Sequence, residues 1–328
     1  MVNFLFYSEI LDYKMNTQSI LFGNGLNRLS KDNPSWEELL EEIAKGKIEK
    51  NIPNTLRYEA VILKQPYREK PNRVFSSDGY ALRDADGNAI YASGEVVESK
   101  LKKDIAQRVG LFDANTAYDI MAKLPVHHYL TTNYDNTLLK AIGDKSLDVR
   151  YRPEKIYSIR RRYSLNGFNG IQSYWPIHGN VDSPASIMLG FDHYCGALSK
   201  IESYVKGGYE MPNVGRLPSI TYRLKNGIEE PYSWIDLFFI SDIHIIGLGL
   251  EYEEMDLWWV LNRRRRIKRK EDGLVTNRVI YYPVDLVTDD KRQLLNGFDV
   301  EICDLDNYSS AYMSRYKRQL DNIESNLR

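Results

Sequence analysis

Chemistry concentrates in this chain at Leu130-Thr131-Thr132-Asn133-Tyr134-Asp135. Val126 to Tyr129, just ahead, carries the β-branched and aromatic residues of a strand. Asn136-Thr137-Leu138-Leu139-Lys140-Ala141, just behind, opens a helix that Asp135 or Asn136 is placed to cap. In open parallel α/β sheets, ligands bind outside the carboxyl ends of the strands. Short polar side chains gathered at such an end can bind a ligand, or can simply cap the turn. Asn133 offers an amide that both donates and accepts, and Asp135 offers a carboxylate. A second stretch, Ser19-Ile20-Leu21-Phe22-Gly23-Asn24-Gly25-Leu26-Asn27-Arg28, is an apolar strand running into Gly-x-Gly. Glycines there let backbone approach a phosphate, and turn amides can donate to it. A third, Tyr174-Trp175-Pro176-Ile177-His178-Gly179, ends a strand in a histidine, whose ordinary pKa of about 6.5 suits proton transfer near neutral pH. His127, His128, His193 and His244 show no such pattern and read as structural.

Taken in order, these segments resemble the sirtuin superfamily. Gly23-Asn24-Gly25-Leu26-Asn27 is similar to its Gly-Ala-Gly-Ile-Ser nucleotide loop, Thr132-Asn133-Tyr134-Asp135 to its Gln-Asn-Ile-Asp signature, and His178-Gly179 to its His-Gly. Ile245-Ile246-Gly247-Leu248-Gly249-Leu250 resembles the second glycine-containing strand end that this fold sets near the adenosine half of NAD. The resemblance runs over residues 19–305. Protein-deacylating sirtuins carry two Cys-x-x-Cys pairs for a structural zinc. This chain has only Cys195 and Cys303, far apart, so that four-thiolate site cannot form. Thr-Asn-Tyr-Asp is instead similar to the form in bacterial sirtuin-like NADases of anti-phage defence. Those also carry Asp-x-Tyr after the strand following His-Gly, matched here by Asp192-His193-Tyr194.

The resemblance implies an NAD+ glycohydrolase that releases ADP-ribose and nicotinamide, with Asn133 and His178 catalytic. It implies NAD contacts from Gly23, Asn24, Gly25, Leu26, Asn27, Thr132, Asp135, Gly247, Gly249 and Leu250, and a partner such as a DNA-translocating ATPase of the HerA type or an Argonaute-like protein. Two isolated cysteines and five scattered histidines lead us to expect no metal, and a homo-oligomer built through the N-terminal lead-in or the C-terminal helix is expected. A non-catalytic NAD or ADP-ribose sensor and an NAD-dependent deacylase are the competing readings. A dehydrogenase is disfavoured because no Gly-x-Gly-x-x-Gly follows the first strand.

Strands alternating with helices point to an α/β fold, a doubly wound parallel Rossmann-like sheet. Helical stretches between about residues 30 and 125 form a mainly helical module inserted between the first two core strands. In sirtuin-like proteins such a module walls the NAD pocket, which makes residues 1–328 a single sirtuin-like domain. Pro34 to Ile43 carries Ser35 as N-cap with acidic residues in its first turns. Asp86-Gly87 suits a hairpin turn. Residues 207–230, rich in Gly, Pro and charge, read as a long surface loop or lid. Arg263-Arg264-Arg265-Arg266-Ile267-Lys268-Arg269-Lys270 reads as a solvated helix end that complements the helix dipole, with a phosphate-binding patch for nucleic acid as the alternative. Tyr312, Met313, Tyr316, Leu320 and Ile323 form an apolar stripe on a C-terminal helix, free to dock on the chain's own sheet or on a second subunit.

The 44 Lys and Arg nearly balance the 45 Asp and Glu, so global charge does not mark a nucleic-acid binder. Two isolated cysteines suit a reducing compartment. No apolar run reaches the roughly 18 residues of a membrane span, and the first residues lack the basic start of a signal peptide. A cytoplasmic protein without a membrane anchor is expected.

Overall fold

The computed structural model describes residues 17–31, 33–44, 52–63, 82–83, 89–90, 93–143, 148–149 and 156–327. Eight strands make the main sheet: β1 (Gln18–Phe22), β2 (His128–Thr131), β3 (Asp148–Val149), β4 (Tyr163–Gly167), β5 (Gly170–Pro176), β6 (Asp242–Ile246), β7 (Val279–Tyr282) and β8 (Glu301–Ile302). Their order is β8-β7-β6-β1-β2-β5-β4-β3. The six strands from β8 to β5 run parallel. The chain winds outward from β1 through β2 to β5, then returns to β6 on the other side of β1 and winds outward again. This is the doubly wound arrangement, and its direction reverses between β1 and β6, where open α/β sheets place their ligands.

Eleven helices complete the described chain: α1 (Trp36–Ala44), α2 (Asn54–Leu63), α3 (Ser93–Gly110), α4 (Thr116–Met121), α5 (Thr137–Ile142), α6 (Phe191–Lys206), α7 (Ile220–Lys225), α8 (Trp234–Ile240), α9 (Met255–Lys270), α10 (Asp289–Gly297) and α11 (Tyr312–Asn326). Side chains alternate across a strand, so β1 feeds two cores. Leu21 joins Trp175, Ile245 and the apolar faces of α6 to α9 on one side. Ile20 and Phe22 join Tyr129, Tyr174 and residues of α4, α5 and α11 on the other. A third core lies within the module between β1 and β2. There Leu39, Leu40, Tyr58, Val61, Leu101 and Ile105 pack together with Ile187 and Leu189. The α1 start is a capping box: Glu38 N–H donates to Ser35 Oγ at 3.2 Å, and Ser35 N–H donates to Glu38 Oε2 at 2.6 Å.

Several expectations change. The sheet is not wholly parallel, because β4 folds back antiparallel on β5 and carries β3 at the edge. Residues 207–230 are not a surface loop or lid. They hold a small hairpin, Glu210–Met211 against Gly215–Arg216, followed by α7. Tyr209, Met211, Leu217, Ile220 and Leu224 bury into the main core, and this apolar content outweighs the Gly and Pro punctuation. The basic run is partly neutralised: Arg264 is fully buried and donates to Asp299 Oδ2 at 2.7 Å, while Arg265 and Lys268 reach the same carboxylate at 3.2 and 2.8 Å. Arg266, Arg269 and Lys270 remain on the exposed side. Residues 82–83 and 89–90 do pair antiparallel. Their Asp86-Gly87 turn, residues 1–16 and Arg150-Tyr151 lie outside the described residues.

The stripe on α11 docks on the chain's own sheet: Tyr316, Leu320 and Ile323 are fully buried. Leu320→Ala should therefore lower stability by about 2–5 kcal/mol, the usual loss for a buried leucine, as read by urea unfolding. A change under about 0.5 kcal/mol, typical of surface sites, would show that α11 is not anchored there.

Candidate functional site

A cavity of about 680 Å³ opens over the carboxyl ends of the parallel strands. Asn24 and Gly25 after β1, Thr132 to Asp135 after β2, His178 after β5, Gly247 to Gly249 after β6 and Val284 to Thr288 after β7 line one side. Trp36, Leu39, Asn54, Thr55, Val109 and Phe112 of the helical module close the other. The strand ends of β1 and β6 touch: Gly25 N–H donates to the Gly247 carbonyl at 2.8 Å, and Gly23 N–H to Ile246 O at 3.3 Å. A Cβ on Gly25 would sit 2.7 Å from that Gly247 oxygen and 2.3 Å from the Tyr316 hydroxyl. Glycine is required here for close approach of two backbones. The Gly23 and Gly25 amides expected to donate to a phosphate are already occupied by protein carbonyls.

Asn133 is held in a buried polar network. Its backbone N–H donates to Thr131 Oγ1 at 3.0 Å and its amide to the Tyr118 hydroxyl at 3.4 Å. Tyr118 donates in turn to Asn27 Oδ1 at 2.6 Å, and Asn27 Nδ2 donates to Asp135 Oδ2 at 2.7 Å and Asn24 Oδ1 at 3.0 Å. The other Asp135 oxygen accepts from Thr137 N–H, the first amide of α5, at 2.9 Å, while the N-cap residue Asn136 makes no side-chain cap bond. Asp135 thus holds the start of the helix and also lines the cavity. Burial pushes the Tyr118 hydroxyl well above its ordinary pKa, and the Asp135 charge adds to this, so it stays a neutral donor.

His178 follows β5, just ahead of a turn that only glycine permits. Gly179 has φ +100°, and a Cβ there would meet the Ser186 carbonyl at 2.3 Å. The imidazole is 2 % exposed, with Nε2 2.8 Å from Asp256 Oδ2 and Nδ1 3.4 Å from the Tyr194 hydroxyl. Burial opposes charge on His178, but the Asp256 carboxylate overcomes this and raises its pKa above the ordinary value. Glu254 also lines the cavity, and burial pushes its carboxyl up to about 7; His178 opposes the rise, and Asp256, Glu253 and Glu251 reinforce it. His178, Glu254 and Asp256 present ligating atoms within 4.8 Å of one another, close enough to share one positive charge.

Residues 127–211 match the family described as the SIR2-like domain. Among curated proteins the chain is similar to the NAD(+) hydrolase ThsA of Bacillus cereus (strain MSX-D12), 24% identical over 204 residues. That match covers 62% of this chain and 36% of ThsA, so the chain spans well under half the length of the relative it matches.

Asn24, Gly25, Thr132, Asn133, Asp135, His178, Gly247 and Gly249 come together around one cavity. Gly23, Leu26, Asn27 and Leu250 lie behind its wall; Leu26 and Leu250 are core residues and Asn27 is the hub of the buried network. Sequence reasoning missed Tyr118, Glu254 and Asp256. It also passed over Arg28, an exposed cation on the cavity rim. Tyr194 of the Asp-x-Tyr segment packs edge-on to His178 with ring centroids 5.3 Å apart. His193 accepts from Leu189 N–H at 2.9 Å and Gly190 N–H at 3.0 Å and meets Glu98 at 2.5 Å, a structural use. Among the described residues no helix is long and apolar enough to cross a membrane.

Proposed function

We propose that this SIR2-like chain hydrolyses NAD+ to ADP-ribose and nicotinamide, and that it acts as an anti-phage effector by depleting NAD+. The observation that carries the reading is the placing of Asn133 and His178 on one cavity wall at the carboxyl edge of the sheet, with Asp256 behind the histidine. The naming of a relative as an NAD(+) hydrolase supports it. The bond between ribose C1′ and the ring nitrogen breaks, its electron pair stays with nicotinamide, and water adds to C1′ while losing a proton. Asn133 orients the ribose hydroxyls or the attacking water through its amide. His178 takes the proton, and Asp256 fixes the ring and favours its protonated form, the division of labour seen in histidine–carboxylate pairs. Arg28 is suited to the pyrophosphate.

The helical module is assigned to the same domain as a wall of the pocket. Toxic NAD+ loss requires restraint, which we assign to homo-oligomer assembly or to a partner such as a HerA-type ATPase or an Argonaute-like protein. Chromatography of NAD+ incubated with the pure chain tests the reaction. Equal amounts of ADP-ribose and nicotinamide are expected, with no need for an acylated peptide.

A further inference from the structure

The His178 end of the cavity carries more negative charge than the proposed proton transfer uses. Two carboxylates, Glu254 and Asp256, face one imidazole within 4.8 Å. With all three groups ionised, one negative charge is left over. Glu254 Oε2 and Asp256 Oδ1 are also buried and accept no hydrogen bond from a described residue. Buried acceptors without partners are costly, and unpaired carboxylates more so. The groups acting on Glu254 are Asp256 on α9, Glu251 and Glu253 on the approach to it, His178 after β5, Tyr194 on α6 and Tyr134 after β2. Of these, only His178 can be cationic, and the buried Arg161 acts on His178 to disfavour its charge. A proton can neutralise Glu254 on the acid side of its pKa, and a cationic ligand can do so on the alkaline side.

NAD+ has one cationic part, the pyridinium ring, and reduction to NADH removes that charge. We propose that Glu254, backed by Asp256, makes this end of the cavity a cation subsite that faces the pyridinium ring and selects NAD+ over NADH. The inference rests on the NAD+ reading above and adds its specificity. It also bears on release. When the C1′–N bond breaks, the electron pair moves to the ring nitrogen and nicotinamide becomes neutral, so the carboxylate loses its hold on the product.

Calorimetric titration of the full chain with NAD+, NADH and ADP-ribose tests this, in the Asn133→Ala background so that substrate is not consumed. Near pH 8.5, NAD+ should bind about tenfold tighter than NADH. Near pH 6, with Glu254 protonated, the preference should shrink severalfold. Glu254→Gln should abolish it at both pH values, while Glu254→Asp should keep part of it. Because His178 gains charge over the same pH range, the pH series is repeated in His178→Gln, which decides the matter even if Glu254→Gln fails to fold: a preference that still shrinks toward pH 6 supports Glu254, and one that no longer changes with pH overturns the inference. Equal affinity for NAD+ and NADH near pH 8.5, or a preference that Glu254→Gln leaves intact, overturns the inference while the NAD+ reading stands. If none of the three ligands binds, both fall. Stoichiometric Zn2+ or Mn2+ that competes with NAD+ and is lost in Glu254→Gln would assign the charge to a metal instead and overturn the pyridinium subsite.

Discussion

Asn133→Ala should fold normally and lose about 10²–10³ in the rate of NAD+ cleavage, the usual effect of removing a positioned contact to a transition state. Its native conformation depends little on the side chain. The amide makes one long bond, 3.4 Å to Tyr118, and the backbone N–H to Thr131 that shapes the turn survives the substitution. Asp135, Asn27 and Tyr118 still satisfy one another without it. Melting temperature and initial rate on one preparation separate the effects. A folded variant that keeps more than about a tenth of wild-type turnover, a loss far below that range, would show that Asn133 does not touch the reacting ribose.

His178→Ala should cost about 10²–10⁴ in rate, the range for a general base, with little loss of NAD+ affinity. Its partner gives the sharper test. A base works unprotonated, so the rate falls as pH drops through its pKa. Burial pulls the His178 pKa down, Asp256 more than reverses this, and the acid limb should therefore lie above the ordinary histidine value of about 6.5. Asp256→Asn removes the charge and should move that limb to lower pH while slowing the plateau. A purely structural Asp256 would lower the melting temperature and leave the limb in place. Initial rates across the pH range, with melting temperatures, distinguish the two outcomes.

The parts of the site visible in the sequence are those that one short segment carries whole. Gly23-Asn24-Gly25, Thr132 to Asp135 and His178-Gly179 each combine a strand, its polar end and the turn chemistry within ten residues or so. Asp256 was hidden for the opposite reason. It stands 78 residues from His178, and only the fold brings the first turn of α9 against the segment after β5. In the sequence, Glu253-Glu254-Met255-Asp256 looks like an ordinary acidic first turn answering the helix dipole. A usable signal existed, since these acids follow directly on the glycine strand end at Gly247 and Gly249. Tyr118 was hidden within an apolar helix, where an aromatic residue reads as core, and only the fold aims its hydroxyl at Asn27 and Asn133. In the fold itself, the parallel strands were plain from their apolar runs. The β3–β4 edge was not, because Arg160-Arg161-Arg162 masks the approach to Tyr163. In 207–230 the Gly and Pro punctuation hides the spaced apolar residues Tyr209, Met211, Leu217, Ile220 and Leu224 that bury it.

The central claim is that this cavity breaks the nicotinamide–ribose bond, and product analysis reaches it most directly. Pure wild-type chain and Asn133→Ala are incubated with NAD+ alone, and the nucleotides are separated over time. The expected result is ADP-ribose and nicotinamide appearing in equal amounts with wild type and almost none with the variant. Dinucleotide that binds to wild type yet stays intact would contradict hydrolysis and mark the site as a sensor of NAD or ADP-ribose.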